Sequence, residues 1–304
     1  MDIKTPYVWR NWELISWDDA RDHNLSHSLH YGWWIFEWIR FYDTPKWPKI
    51  FRLKDHIERL YYSASVMHLD IPFTIERIIE DTVALVAKNQ EKNWYIRHIV
   101  YSWYGKMWLN PKWAATETVI SVWKWWKYLS DLPINVKIPK TRRVHPDTTD
   151  MKAKISGNYA NSILVSHEVK DAGFDEWLLL DTRWFIAEWP WENVFFVKWN
   201  EVITPKLGNI LPWITRSTVI ELFWKELGID VTERDVSPDE LKDFDEAFFT
   251  WTAAEVTLIW SITDEAWNKV GYKSWIEGSV SMKMKKIYED VVTWRNEKYS
   301  DWLF

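Results

Sequence analysis

Lys154-Ile-Ser-Gly-Asn-Tyr-Ala-Asn-Ser162 stands at the middle of a chain of 304 residues, and the organisation of the sequence changes around it. A lysine among small polar residues is followed by Tyr159, which opens a helix expected to run to about Lys170 and to stop at Gly173, a suitable C′ residue. A lysine in such a setting can serve as a Schiff-base amine with a phenol partner. Taken alone, the spacing fits a solvated lysine ahead of a helix better, because a perturbed lysine needs surroundings that spacing does not display.

Downstream, β-branched and aromatic runs predict strands at 177–181, 184–187, 193–198 and 201–204. A helix is expected from near Thr215 to Gly228, a short capped helix at Ser237-Pro238-Glu240, a buried strand at 246–250 and a last helix over about 280–292. Upstream, the first 55 residues read as strands and turns. Asp55 with Glu58 resembles a capping box that opens a helix through about Ala64, and Thr74 starts a second helix with Ile75, Ile78, Ile79, Val83 and Val86 on one stripe. Residues 94–104 and 116–123 read as strands. Residues 126–150 carry Pro133, Pro139, Pro146 and a basic run, which suits a linker. The pattern predicts an α+β (mixed α/β) protein of two domains, 1–124 and 136–304, joined by a loop at 125–135, with a cleft between them.

Composition narrows the chemistry. There are no cysteines, which excludes disulfides, thiolate metal sites and Cys nucleophiles. A net charge of −6 gives no broad footprint for nucleic acid. No apolar run is long enough to span a membrane, and MDIKTPYVW lacks the apolar core of a secretory signal, so a cytoplasmic location is expected. No G-x-S-x-G elbow, Walker A or G-x-G-x-x-G run occurs. His23, His27 and His30 could share a helix face and bind metal, but with no acidic ligand at matching spacing local packing is the better reading, and no metal is expected. The chain also holds 27 Trp against 8 Gly, where average usage of about 7% would give roughly 21 Gly.

Leu211-Pro-Trp-Ile-Thr-Arg216 leads into a helix whose open N–H groups suit a phosphate, and Thr252 directly after the 246–250 strand could add a hydroxyl. Each also reads as an ordinary cap or turn. Their co-occurrence with Lys154 suggests a phosphorylated cofactor bound covalently through lysine.

SHSLHYG at 26–32, IFEWIRFYD at 35–43, FRLKDHIERL at 51–60, YIR at 95–97, KISGNYANS at 154–162, EWPWENVF at 188–195, LPWITR at 211–216 and TWTAAEVT at 250–257 occur in the order of one family. The chain resembles the fold-type IV (class IV) pyridoxal-phosphate aminotransferases, above all the branched-chain amino acid aminotransferases. The resemblance implies a two-domain fold-type IV enzyme, at least a homodimer, with its active site in the interdomain cleft. It implies pyridoxal 5'-phosphate as cofactor and ping-pong exchange of amino groups between leucine, isoleucine or valine and 2-oxoglutarate. Lys154 would form the internal aldimine and then act as the base. Glu192 would pair with the pyridine nitrogen, Tyr159 with O3′, and Arg59, Ile214, Thr215 and Thr252 with the phosphate. Tyr31, Phe36, Trp125 and Tyr128 would wall the substrate pocket. Thr252 and Ala253, with Tyr95, would take the α-carboxylate, while Arg97 would take the side-chain carboxylate of glutamate. His98 stands where the family often has Pro, so detail of specificity could differ.

The departures from the family's motifs are of one kind: Trp where Gly is expected. They fall at Trp34, Trp38, Trp189, Trp191, Trp213 and Trp251 near the site, and at Trp12, Trp199 and Trp267 in hairpin-like turns. Trp103 and Trp108 flank a loop that the resemblance assigns to the partner subunit's site. A non-Gly residue held left-handed costs roughly 1–2 kcal/mol, and overpacking adds about 1–3 kcal/mol per site. Many of these tryptophans are therefore expected to be replacements for glycine. Two alternatives stay open: a D-amino acid aminotransferase or other class IV enzyme of the same fold, and a non-catalytic binding protein whose cofactor site the tryptophans block.

Overall fold

In the computed structural model the described residues are 3–105, 107–124, 132–187, 192–208 and 210–304. They cluster into two compact units. The first comprises residues 1–126, 153–157 and 291–304; the second comprises 127–152 and 158–290.

The first unit contains strands β1 (Tyr7–Arg10), β2 (Glu13–Ser16), β3 (Trp34–Tyr42), β4 (Lys49–Ile50), β5 (Tyr95–Ser102) and β6 (Thr116–Trp123). They form an antiparallel sheet in the order β2-β1-β6-β5-β3-β4. Helix α1 (His27–Tyr31) precedes β3, and helices α2 (Leu53–Val66) and α3 (Ile75–Asn89) follow β4. Strand alternation sorts β3 into two faces. Ile39 and Phe41 join Ile57 of α2 and Ile78, Leu85 and Val86 of α3 in one buried cluster, and Ile35 joins Leu60 and Ala64 in a second. Phe36, Trp38 and Arg40 therefore belong to the opposite face.

Segment 153–157 is an outlying part of this unit. Ile155 bridges antiparallel to Ile35, and Phe36 N–H donates to the Lys154 carbonyl at 3.4 Å. The C-terminal residues close the other edge, with Leu303 bridged to Phe51.

Both β5 and β6 lie where residue type places them. Thr74 caps α3, its side chain accepting from Arg77 N–H at 3.2 Å. The expected capping box at Asp55 is absent. Helix α2 begins earlier, after Arg52, whose φ of 53° and lack of a side-chain cap bond mark a left-handed entry that residue pattern does not signal. Arg52 N–H instead donates to the Trp302 carbonyl at 2.7 Å, so the C-terminal segment sets where α2 starts.

The second unit contains β7 (Ile134–Lys137), α4 (Tyr159–Asp171), β8 (Glu176–Trp177), β9 (Asn193–Lys198), β10 (Glu201–Pro205), α5 (Ile214–Leu222), β11 (Val231–Arg234), β12 (Glu246–Trp251), β13 (Glu255–Thr263), β14 (Lys269–Gly271) and α6 (Val280–Val292), whose last two residues belong to the first unit. The sheet order is β11-β10-β9-β12-β13-β7-β8, with β14 beside β13. Pairing is parallel for β10–β11, β7–β13 and β7–β8 and antiparallel elsewhere, which makes the sheet mixed. Phe195 of β9 and Phe248 of β12 stack at 5.1 Å, and Phe223 at the end of α5 lies 6.2 Å from Phe248, anchoring that helix on the sheet.

Two expected strands are corrected. Only Glu176–Trp177 of the 177–181 region pairs as a strand, and 184–187 contributes a single bridge, Ile186 to Leu180. The reason is local: Asp181 Oδ1 accepts the N–H groups of Arg183 at 2.8 Å and Phe185 at 3.0 Å, folding the chain into a turn instead of a ladder. The capping box at Ser237 and Glu240 is present, and Gly228 ends the α5 region at φ 64° after a π-helical turn.

The tryptophans divide by backbone conformation. Trp12, Trp199 and Trp267 sit at φ 81°, 56° and 67°, and Trp184 and Trp294 at 69° and 59°. These are left-handed positions that glycine occupies without strain. Trp12, Trp184, Trp199 and Trp267 are also among the exposed large side chains. Trp213 has an ordinary φ of −72°, and Trp213 and Trp251 are buried. The expectation of glycine replacement is met by backbone geometry at the turns and has no backbone support at Trp213. Trp189 and Trp191 lie outside the described residues.

Candidate active site

In the first unit, helix α2 carries a buried polar cluster. His56, Arg59 and Ser63 share one face at spacings of three and four, and all three are buried. Ser63 Oγ donates to the Arg59 carbonyl at 2.8 Å and accepts the Lys154 N–H at 2.9 Å. The lysine backbone is thus fixed on one side by α2 and on the other by the edge of β3. Lys154 is buried, with its Nζ 4.7 Å from the Phe36 ring centroid.

Arg59 meets Glu37 of β3 in a two-point pair: Nε donates to Oε1 at 2.6 Å and Nη2 to Oε2 at 2.8 Å. His56 Nδ1 lies 2.7 Å from Oε2. Burial raises the Glu37 carboxyl's pKa, but the charge and hydrogen bonds of Arg59, with the hydrogen bond from His56, outweigh it and hold the group well below the usual 4.5. Burial pushes His56 below 6.5 despite Glu37, so a neutral ring donates Nδ1–H to the carboxylate.

On the opposite face of the sheet Arg97 pairs with Trp38 across β5 and β3. Its guanidinium carbon lies 4.1 Å from the Trp38 ring, 4.7 Å from Phe36 and 5.5 Å from Trp123. Tyr95 is buried, 5.7 Å from Trp38 edge-to-face. Phe36, Tyr95 and Arg97 therefore share one surface with Trp38 among them, whereas Tyr31 at the end of α1 is 45% exposed. His98 alternates to the helix side, with Nε2 2.8 Å from Thr82 Oγ1 and a pKa lowered to about 3 by burial, so it does not line that surface. The three histidines weighed against a metal site pack locally: His27 Nε2 meets the Trp108 carbonyl at 3.0 Å, His30 Nε2 meets that of Asn24 at 2.9 Å, and His23 Nδ1 accepts from Leu25 N–H.

In the second unit, antiparallel pairing of β9 with β12 sets Asn193 opposite Thr250. This register puts Glu192, just before β9, at the same sheet end as Thr252 and Ala253, which form the tight turn from β12 to β13. Both turn residues are buried. Helix α5 begins at Ile214 with no side-chain cap, and Ser217 N–H is the first to reach back, to the Trp213 carbonyl at 3.1 Å. The N–H groups of Ile214 and Thr215 thus have no partner within the helix, the arrangement an anion needs. Arg216 spends its Nη2 on the Pro205 carbonyl and on Glu233. Tyr159 is half-buried at the first turn of α4.

Glu192 is fully buried, and among the described residues neither carboxyl oxygen has a hydrogen-bond partner. Burial, reinforced by the charge of Glu176 and opposed by Lys170, raises its pKa well above 4.5. A buried carboxyl without a donor is costly, and a group carrying a positive N–H would satisfy it. Trp125 and Tyr128 lie outside the described residues. Residue pattern misses Glu37, His56 and Ser63 as supports of Arg59. The available signal is a charged residue in the helix-facing stripe of β3, with polar residues at helical spacing on a buried face.

The profile of the family described as amino-transferase class IV matches residues 34–262. The branched-chain-amino-acid aminotransferase of Pseudomonas aeruginosa strain PAO1 is 36% identical over 299 residues, 97% of this chain and 95% of that protein. The branched-chain aminotransferase of Thermoproteus uzoniensis, solved with norvaline, aligns with a TM-score of 0.92 at 33% identity over 99% of both chains. The T.th. branched-chain amino acid aminotransferase, complexed with N-(5'-phosphopyridoxyl)-L-glutamate, aligns at 0.92 and 35% identity over 100% of this chain and 99% of its own. The chain belongs to the class IV aminotransferases and has their mixed α/β fold. It is a transaminase whose relatives carry the branched-chain name. No helix among the described residues is long and apolar enough to cross a membrane.

Proposed function

We propose that the protein exchanges amino groups between branched-chain L-amino acids (leucine, isoleucine, valine) and 2-oxoglutarate, with pyridoxal 5'-phosphate held covalently on Lys154. The observation that carries this reading is Glu192: a fully buried carboxyl, raised in pKa and lacking a donor among the described residues, fits a protonated pyridine nitrogen. Bound there, the ring supplies an electron sink for a carbanion at the substrate Cα.

The residues divide the remaining work. Lys154 Nζ, buried beside the Phe36 ring, suits an amine that attaches the cofactor and then moves a proton at the substrate Cα. Arg59, the N–H groups of Ile214 and Thr215, and Thr252 bind the phosphate dianion. Tyr159 hydrogen-bonds the ring oxygen. Tyr31 and Phe36, with Trp125 and Tyr128, wall the substrate side chain. Thr252, Ala253 and Tyr95 take the α-carboxylate. Arg97, stacked among aromatic rings, takes the second carboxylate of glutamate and 2-oxoglutarate, so one pocket serves both partners of a ping-pong exchange. The phosphopyridoxyl-glutamate ligand of the T.th. relative supports this assignment. The active unit is proposed to be a homodimer or larger.

Trp38 is placed against Arg97 and Tyr95, an ordered packing that favours a working pocket over a blocked one. A half-reaction panel tests the reading. L-Leu and L-Glu should each convert the lysine-bound visible band to the amine form, and Lys154→Ala should abolish the band. Conversion by D-Ala alone would assign a D-amino acid enzyme instead, and absence of the band in the unmutated chain would leave a non-catalytic binding protein.

A further inference from the structure

Arg59 is held by the protein's own side chains. Its guanidinium is fixed in plane by the two-point pair to Glu37, and Glu37 is fixed in turn by His56 from the same helix face, one turn earlier. Glu37 and His56 are fully or almost fully buried, so this is an interior brace, not a surface ion pair. Nothing else in the helix-facing stripe of β3 is charged: its neighbours Ile35, Ile39 and Phe41 are apolar and buried. A carboxylate there gives the sheet no packing advantage over an aliphatic side chain. Its consequence is geometric. It holds the guanidinium of Arg59 on the same face of α2 whose Ser63 hydroxyl accepts the Lys154 N–H.

We infer that Glu37 and His56 are positioning residues that preorganise Arg59 for the cofactor's phosphate, so that their loss weakens phosphate recognition specifically. The inference rests on the proposed role of Arg59. A dianion binds more tightly to a donor that need not be ordered on arrival, because the rotamer entropy has already been spent in folding.

The test titrates the full chain, stripped of cofactor, with pyridoxal 5'-phosphate and separately with pyridoxal, which lacks the phosphate. The unmutated chain and Arg59→Ala, Glu37→Gln, His56→Leu and His56→Asn are compared. Glu37→Gln and His56→Leu should weaken pyridoxal 5'-phosphate by about tenfold, one coupling energy of the usual size, and leave pyridoxal within about twofold. Asparagine keeps an N–H near the place of Nδ1, so His56→Asn should recover most of the loss. Glu37→Gln added to Arg59→Ala should weaken binding no further. Equal weakening of both ligands, or additive loss in the double variant, would overturn the inference and make the brace merely structural. If Glu37→Gln does not fold, the His56 pair decides by the same criterion. An Arg59→Ala variant that binds the phosphate form normally would instead defeat the assignment of Arg59, and the inference with it.

Discussion

Glu37 and Glu192 are both fully buried carboxyls, one in each unit, and their surroundings push them in opposite directions. Glu37 has every reason to stay ionised: Arg59 meets it at two points and His56 donates to it. Glu192 has no donor among the described residues, and the charge of Glu176 adds to the cost of its own burial. Burial alone therefore does not mark a site. A satisfied buried charge braces the groups around it. An unsatisfied one is a place where the folded chain is incomplete without a ligand.

The largest effect expected from this contrast is on stability. Glu37→Gln leaves Arg59 buried without its carboxylate and should destabilise the chain by about 3–5 kcal/mol at neutral pH, read by urea unfolding. Because Glu37's folded pKa lies below its unfolded value, its contribution is complete above pH 4.5 and is lost as pH falls further. A variant as stable as the parent at pH 7 would show that Arg59 does not depend on Glu37 for its charge partner.

Glu192→Gln should have the next largest effect, this time on turnover. Losing the counter-charge to the ring nitrogen should lower kcat by about a hundredfold, the size of removing one preorganised electrostatic group. The same substitution should stabilise the cofactor-free chain by about 1–2 kcal/mol, since a buried donorless carboxylate is removed. The pH dependence is opposite to that of Glu37. A carboxyl whose folded pKa is raised contributes fully below its unfolded value of 4.5 and loses that contribution as pH rises toward the folded value. The stabilisation by Glu192→Gln should accordingly be smallest in acid and grow toward neutral pH. A pH-independent difference would show that Glu192 is satisfied after all.

The smallest expected effect concerns a turn. Trp199→Gly at φ 56° should stabilise the chain by about 1 kcal/mol, measured as a rise in Tm, because the 79% exposed indole offers little packing to lose.

What residue pattern can foresee follows from range. Strands β5 and β6 and the Thr74 cap are local decisions, made by β-branched runs and one side chain, and they are legible. The start of α2 is not, because the Trp302 carbonyl far along the chain fixes Arg52. The turn at 181–185 reads as strand from residue type alone because Asp181 competes for the backbone in a way that type does not show. Within the site, family motifs point to Lys154, Arg59 and Glu192. The brace behind Arg59 joins residues of β3 and α2 that only the fold brings together. The state of Glu192 depends on what does not approach it, which no motif records.

Attachment of the cofactor to Lys154 is read out by incubation of the full chain with pyridoxal 5'-phosphate, borohydride reduction and peptide mapping by mass spectrometry. One phosphopyridoxyl group per chain on the peptide containing Lys154 is the predicted result. A reduced adduct on another lysine, or none at all, would contradict it.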